Sequence, residues 1–184
     1  MNIKIKDFKK VYNGTTVVCK DMELVGKVIV IKGENGKGKS TLLKAVSGLI
    51  SYVGTINNQQ SISYMKEMVC FPQGITLAEF FELMVRFEDT DLIAYQQLIQ
   101  LFDLSDKLDS QMASLSKGMT MKVNVIITLM IDRDLYVLDE PFSGLDKTGV
   151  TDLIEYILES KKDFLLSTHI KNIPKRLYDM EVIL

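Results

Sequence analysis

Val28-Ile29-Val30-Ile31-Lys32-Gly33-Glu34-Asn35-Gly36-Lys37-Gly38-Lys39-Ser40-Thr41 is the stretch on which the fold turns. Its first four residues are apolar, β-branched and without alternation, as in a strand covered on both faces. Gly33 to Ser40 fits G-x-x-x-x-G-K-[ST], a loop whose glycines let the backbone curl until its N–H groups point at phosphate oxygens. A helix is expected from about Lys39 to Ser47, stopping before Gly48. Its N-terminus adds a partial positive charge. Strand, glycine loop and helix in this order are the context the motif requires. In this reading Gly33, Glu34, Asn35, Gly36, Lys37, Gly38, Lys39, Ser40 and Thr41 hold the phosphates of a nucleotide. Lys39 reaches the β- and γ-phosphates, and the Ser40 hydroxyl ligates Mg²⁺.

Upstream, residues 2–9 alternate in polarity as a strand, and Thr16 to Leu24 reads as a second one. Short strands are expected at 52–57 and 61–65. The middle is helical: Thr76 with Glu79 forms a capping box, and Leu77, Phe80, Phe81, Met84 and Val85 fall on one face. A further helix runs from about Asp91 to Phe102. From Ser116 the elements alternate again: a helix to about Ile131, a buried strand Leu135–Leu138, and a helix from about Lys147 to Glu159 capped by Asp146. A strand Phe164–Ser167, a short helix and a strand Glu181–Leu184 follow. Such alternation implies an α/β fold with a mostly parallel sheet covered by helices. Residues 76–115 read as a helical lobe inserted into a core of 1–75 and 116–184.

Two further strand ends carry chemistry. Leu135-Tyr136-Val137-Leu138 ends in Asp139 and Glu140. Asp139 can hold Mg²⁺ through water, and Glu140 can orient and polarise an attacking water. His169, the one histidine of the chain, stands just past Phe164–Ser167, beyond the carboxyl end of a strand, where α/β sheets bind ligands. Its ring nitrogens suit sensing a γ-phosphate.

Composition narrows the class. The chain has 184 residues, with 22 Lys and Arg against 24 Asp and Glu, a net charge of −2. That leaves no basic field for a nucleic-acid partner. The most apolar run, Val123–Ile131, is about half the ~20 residues a membrane span needs. The first residues, Ile3-Lys4-Ile5-Lys6, lack the apolar stretch of a secretory leader. Cys19 and Cys70 form no disulfide framework; their neighbours are those of buried strands, and a reducing cytosol is expected.

The order of the phosphate loop, Leu115-Ser116-Lys117-Gly118-Met119, Asp139-Glu140 and His169 resembles the ATP-binding cassette (ABC) ATPases over nearly the whole chain. The pentapeptide matches the family's Leu-Ser-Gly-Gly-Gln signature, with Lys at the third place and Met at the fifth. Ser-Lys-Gly-Met resembles the variant in ATPases of some bacterial exporters. Phe142-Ser143-Gly144-Leu145-Asp146 resembles the D-loop, and Tyr12 sits where the family places an aromatic against adenine. The Q-loop position has two candidates. Pro72-Gln73 looks like the family's Pro-Gln, but the ungapped run Tyr64-Met65-Lys66-Glu67 through Phe71-Pro72 puts Glu67 there, and Glu67 is preferred as a residue near Mg²⁺ or the attacking water. Against the family pattern the chain is short between the phosphate loop and Glu67, and again after His169.

The resemblance implies a P-loop NTPase core with a mostly parallel sheet, a small N-terminal antiparallel β part and an inserted helical lobe. It implies two cassettes, as a homodimer or with a related ATPase subunit, enclosing two ATP molecules with Mg²⁺. Glu140, His169 and Lys39 act as catalytic residues; Asp146 lines the site; Ser116 and Gly118 complete the opposite cassette's site. The expected function is ATP hydrolysis for an ABC transporter, an exporter. The chain would bind a separate transmembrane permease subunit and sit peripherally on the cytoplasmic face of the cell membrane. The alternative is a soluble ABC ATPase of the iron–sulfur-assembly type. A non-hydrolysing regulatory nucleotide binder is the third reading, and the intact Glu140 and His169 argue against it.

Overall fold

Alternation drives Ile3, Ile5 and Phe8 of β1 (Asn2–Tyr12) to the inside. The spacing slips from two to three at Asp7, whose φ is 53°. In this computed structural model, which describes residues 1–12, 14–18, 20–67, 70–88, 92–170 and 172–184, that slip is a bulge. The pairing of β1 with β5 (Val53–Asn57) shifts between Lys6 and Lys9. Gly54 faces the bulge at φ 104°, and a Cβ there would lie 2.5 Å from the carbonyl oxygens of Lys6 and Asp7, so only glycine fits.

The expected strand Thr16–Leu24 is two pieces, β2 (Thr15–Val18) and β3 (Met22–Val25). They keep one antiparallel register along β1, from Tyr12↔Thr15 to Asn2↔Val25. The interruption lies beside the bulge, where Asp7 N–H donates to Asp21 Oδ1 at 2.8 Å instead of to the ladder. Lys4 and Lys9 pair on both sides, which places β5 on the opposite edge of β1 from β2 and β3. This is the small antiparallel sheet.

The second sheet has five strands in the order β6 (Ile62–Met65), β7 (Leu135–Leu138), β8 (Asp163–Thr168), β4 (Val28–Lys32), β9 (Met180–Ile183), every neighbouring pair parallel. Strand periodicity sends alternate residues to two cores. Ile29, Ile31, Leu135, Val137 and Leu165 pack with α1 (Lys39–Val46) and with Ile3, Ile5 and Phe8. Val28, Val30, Tyr136, Leu138 and Leu166 face the other way, towards α4 (Lys117–Leu129) and α5 (Lys147–Glu159).

That second core continues into α2 (Leu77–Glu88) and α3 (Leu92–Leu101) through Leu77, Phe80, Phe81, Leu98 and Ile99. Met84 and Val85 are only partly buried against it. The capping box forms: Thr76 N–H donates to Glu79 Oε2 at 2.7 Å, and Glu79 N–H to Thr76 Oγ1 at 3.2 Å. The two ends of this segment are tied together by Leu77 N–H to Ser110 O (2.9 Å) and Met112 N–H to Ile75 O (3.0 Å). The expected helix start at Asp91 lies outside the described residues.

One reading of the cysteines is corrected. Cys70 is exposed and belongs to no strand, because β6 ends at Met65 and the chain leaves the sheet there. Cys19 lies outside the described residues. Among the described residues no helix is long and apolar enough to cross a membrane.

Candidate functional site

Parallel register gathers three strand ends on one edge. Lys32 of β4 pairs with Thr168 of β8, and Leu138 of β7 with Leu166 of β8. Gly33, Asp139 and His169 therefore leave neighbouring strands side by side. The loop after β4 enters α1 through Gly38, at φ 93° and ψ 10°. A Cβ there would stand 2.5 Å from Val17 Cγ1, so the left-handed turn and the close approach both demand glycine.

Lys39 is buried and folds back over its own loop. Its Nζ donates to the carbonyls of Gly33 (2.8 Å) and Glu34 (3.3 Å) and lies 3.3 Å from Glu140 Oε1. Glu140 is strained, with φ at 52°, a conformation that costs about 1–3 kcal/mol and clusters at functional sites. Its N–H donates to Ser167 Oγ at 2.8 Å. Its Oε2 meets His169 Nδ1 at 2.9 Å and accepts from His169 N–H at 3.2 Å. Oε1 is buried and makes no hydrogen bond. The His169 ring is half exposed, while the Glu140 side chain is 6% exposed.

Asp139 is 2% exposed and held by three hydroxyls. Ser40 (3.0 Å) and Ser167 (2.6 Å) donate to Oδ1, and Tyr64 (3.2 Å) donates to Oδ2. Burial, and then the Asp139 charge, push the Tyr64 phenol well above its ordinary value, which keeps it a donor.

A cleft of about 450 Å³ lies over the loop, lined by Asn35, Gly36 and residues 38–41 together with Tyr12, Val17, Glu67 and Glu140. Lys10 Nζ sits 5.3 Å from the centroid of the Tyr12 ring. The other expected residues lie elsewhere. Gly33 and Glu34 serve Lys39 through their carbonyls, and Lys37 is exposed. Ser116 is exposed at the start of α4, where it accepts from Met119 N–H at 3.2 Å. Gly118 abuts the Gly144 carbonyl. Asp146 caps α5 by accepting from Gly149 N–H at 2.8 Å and lies 3.5 Å from Lys122 Nζ. The Gly149 N–H, with Lys122 adding less, holds the Asp146 carboxyl below the usual range. Gln73 is exposed and does not line the cleft.

Ser167 and Tyr64 were not singled out from the sequence. The signal for Ser167 was its place two residues before His169, at the same sheet edge as Asp139. Its hydroxyl bridges Asp139 Oδ1 and Glu140 N–H. Ser167→Ala orphans a buried N–H, and urea denaturation should show a loss of about 1–3 kcal/mol. A change below about 0.5 kcal/mol, the ordinary surface value, would remove Ser167 from the site's framework.

The arrangement fits a magnesium nucleotide. Oxygen donors from Ser40 and Asp139 suit Mg²⁺, which takes one or two carboxylates and completes its shell with water and phosphate. Among the described residues no cluster of three His, Cys, Asp or Glu offers a fuller metal cage. Lys39 and the buried Glu140 Oε1 face each other beside the cleft.

Comparison with known proteins gives the family. The family model described as ABC transporter matches residues 24–143. The ABC transporter ATP-binding protein YthP of Bacillus subtilis is 31% identical over 180 residues, 93% of this chain and 75% of that protein. The cytochrome c biogenesis ATP-binding export protein CcmA of Reclinomonas americana is 28% identical, over 78% of this chain and 73% of that protein. A solved ATP-binding subunit of an ABC transporter superposes with a TM-score of 0.85 at 29% identity, covering 100% of this chain and 86% of that one. The chain therefore belongs to the ATP-binding subunits of ABC transporters, a family of α/β ATPases.

Proposed function

We propose that this chain hydrolyses ATP with Mg²⁺ to drive an exporter, working as one of two cassettes beneath a separate transmembrane subunit on the cytoplasmic face of the membrane. The observation that carries the chemistry is the meeting of the phosphate loop, Asp139, Glu140 and His169 at one sheet edge. The exporter reading rests on Ser116-Lys117-Gly118-Met119 and on the likeness to an export protein.

Lys39 gives up the Gly33 and Glu34 carbonyls for the β- and γ-phosphates, and helix α1 presents its N-terminus to the same charge. Glu140 orients the attacking water, with His169 holding Oε2 and leaving Oε1 for the water. Ser40 and Asp139 would hold Mg²⁺, which when bound offsets charge on the phosphate oxygens. Glu67 takes the Q-loop position, since it lines the cleft and Gln73 does not. Tyr12 offers an aromatic face to the base. Ser116 and Gly118, outside the cleft of their own chain, serve the γ-phosphate of a second cassette across a head-to-tail pair, a homodimer or a pair with a related subunit. Asp146, at the start of α5, borders that contact.

The test is affinity purification of the tagged chain from detergent-solubilised native membranes, with the retained proteins identified by mass spectrometry. Stoichiometric recovery of a multi-span membrane protein supports the reading. Recovery with a cytosolic assembly partner alone overturns the transport role and leaves the ATPase chemistry standing.

A further inference from the structure

We propose that Tyr64 is a positioning residue for Mg²⁺: its hydroxyl, 3.2 Å from Asp139 Oδ2, fixes the plane of the carboxylate so that Oδ1 stays aimed at the metal and its water. The inference rests on the nucleotide and metal reading above and deepens it.

The outer torsion of an aspartate is broad and roughly two-fold, so a carboxylate gripped at one oxygen still rocks. Asp139 is gripped at both. On Oδ1 it has two donors, Ser40 at 3.0 Å and Ser167 at 2.6 Å. Ser40 is the hydroxyl that would ligate Mg²⁺ in the reading above. Ser167 is then the one side-chain donor left on Oδ1, and it also accepts from Glu140 N–H, so it cannot swing to follow the carboxylate. On Oδ2 the side-chain donor among the described residues is Tyr64. Its phenol rises from β6, whose Tyr64 pairs with Val137 of β7, one step before the strand end that carries Asp139. Asp139 N–H also donates to Met65 O at 3.1 Å. The tyrosine is thus fixed to the backbone beside the group it holds, and an aromatic ring gives the hydroxyl little freedom to stray.

The experiment compares the full chain with Tyr64→Phe, which keeps the ring and removes the hydroxyl. The reading is the affinity for a fluorescent ATP analogue, measured with excess EDTA and then across a Mg²⁺ titration. The unaltered chain gains affinity with Mg²⁺. Tyr64→Phe is expected to match it in EDTA and to need roughly tenfold more Mg²⁺ for half the gain, the worth of one hydrogen bond to an ionised carboxylate. A protein that merely lost packing would weaken in both conditions, and thermal melting of the two chains checks that they fold alike. An unchanged Mg²⁺ midpoint in Tyr64→Phe overturns the role of Tyr64 and leaves the metal reading intact. A variant equally weak with and without Mg²⁺ overturns it too. An unaltered chain that gains nothing from Mg²⁺ overturns both.

Discussion

Glu140→Gln is expected to lower steady-state ATP turnover by about 10²–10⁴-fold, the range for a group that positions or activates a reacting water, while nucleotide still binds. The substitution keeps the shape of a side chain that is 6% exposed but removes its charge and one acceptor. Oε1 makes no hydrogen bond and has only the longer ion pair to Lys39, at 3.3 Å, hence it is the oxygen that takes the water once Lys39 turns to phosphate. Oε2 is already committed to His169. An amide placed there either turns its NH₂ to the water, which then has no acceptor, or turns it to His169 N–H, where donor meets donor. Either choice costs the transition state. Because phosphoryl transfer depends mainly on positioning and charge, the loss falls on turnover and little on affinity. Phosphate release and nucleotide binding measured side by side separate the two. Turnover within threefold of the unaltered chain would remove Glu140 from the mechanism.

Lys39→Ala is expected to act one step earlier, weakening nucleotide affinity by about 10²–10⁴-fold. Each hydrogen bond from a charged group is worth about 1.5–3 kcal/mol, and two phosphate contacts give that range. The starting geometry explains why the side chain can deliver it. The Gly33 and Glu34 carbonyls hold Nζ at 2.8 and 3.3 Å inside the loop, so little freedom remains to be lost when phosphate replaces them. The same substitution takes the cation from the buried Glu140 Oε1, 3.3 Å away. Removing one partner of a buried pair is destabilising, so the melting temperature should also fall. A fluorescent ATP analogue titrated at a temperature where both chains are folded reads the binding effect alone. Affinity within threefold of the unaltered chain would mean that the loop N–H groups hold the phosphates without Lys39.

These two positions were legible because the pattern that marks them is written in neighbouring residues. The apolar run, the glycines around Lys39 and the helix that starts there sit within nineteen consecutive positions, Val28 to Val46. Glu140 was legible for the same reason, ending an apolar strand beside Asp139. The caps at Thr76 and Asp146 were local too, and each forms with a residue three positions on. Where the pattern broke, the cause was a contact from afar. The strand Thr16–Leu24 parts beside a bulge at Asp7 that Gly54 accommodates. Apolar letters around Cys70 suggested a strand although β6 had already ended.

By itself the sequence determined the class of chemistry and the class of fold: a phosphate loop on a buried strand, acids and a histidine at later strand ends, and alternating elements that require a mostly parallel sheet. The presence of Ser167 and Tyr64 around Asp139 was decided by tertiary structure alone. Ser40, Tyr64 and Ser167 reach Asp139 across 99, 75 and 28 positions of chain. No local spacing encodes such distances. They follow from the strand order β6-β7-β8-β4-β9, which stacks segments remote in sequence at one sheet edge because burying both faces of β4, β7 and β8 removes apolar surface from water.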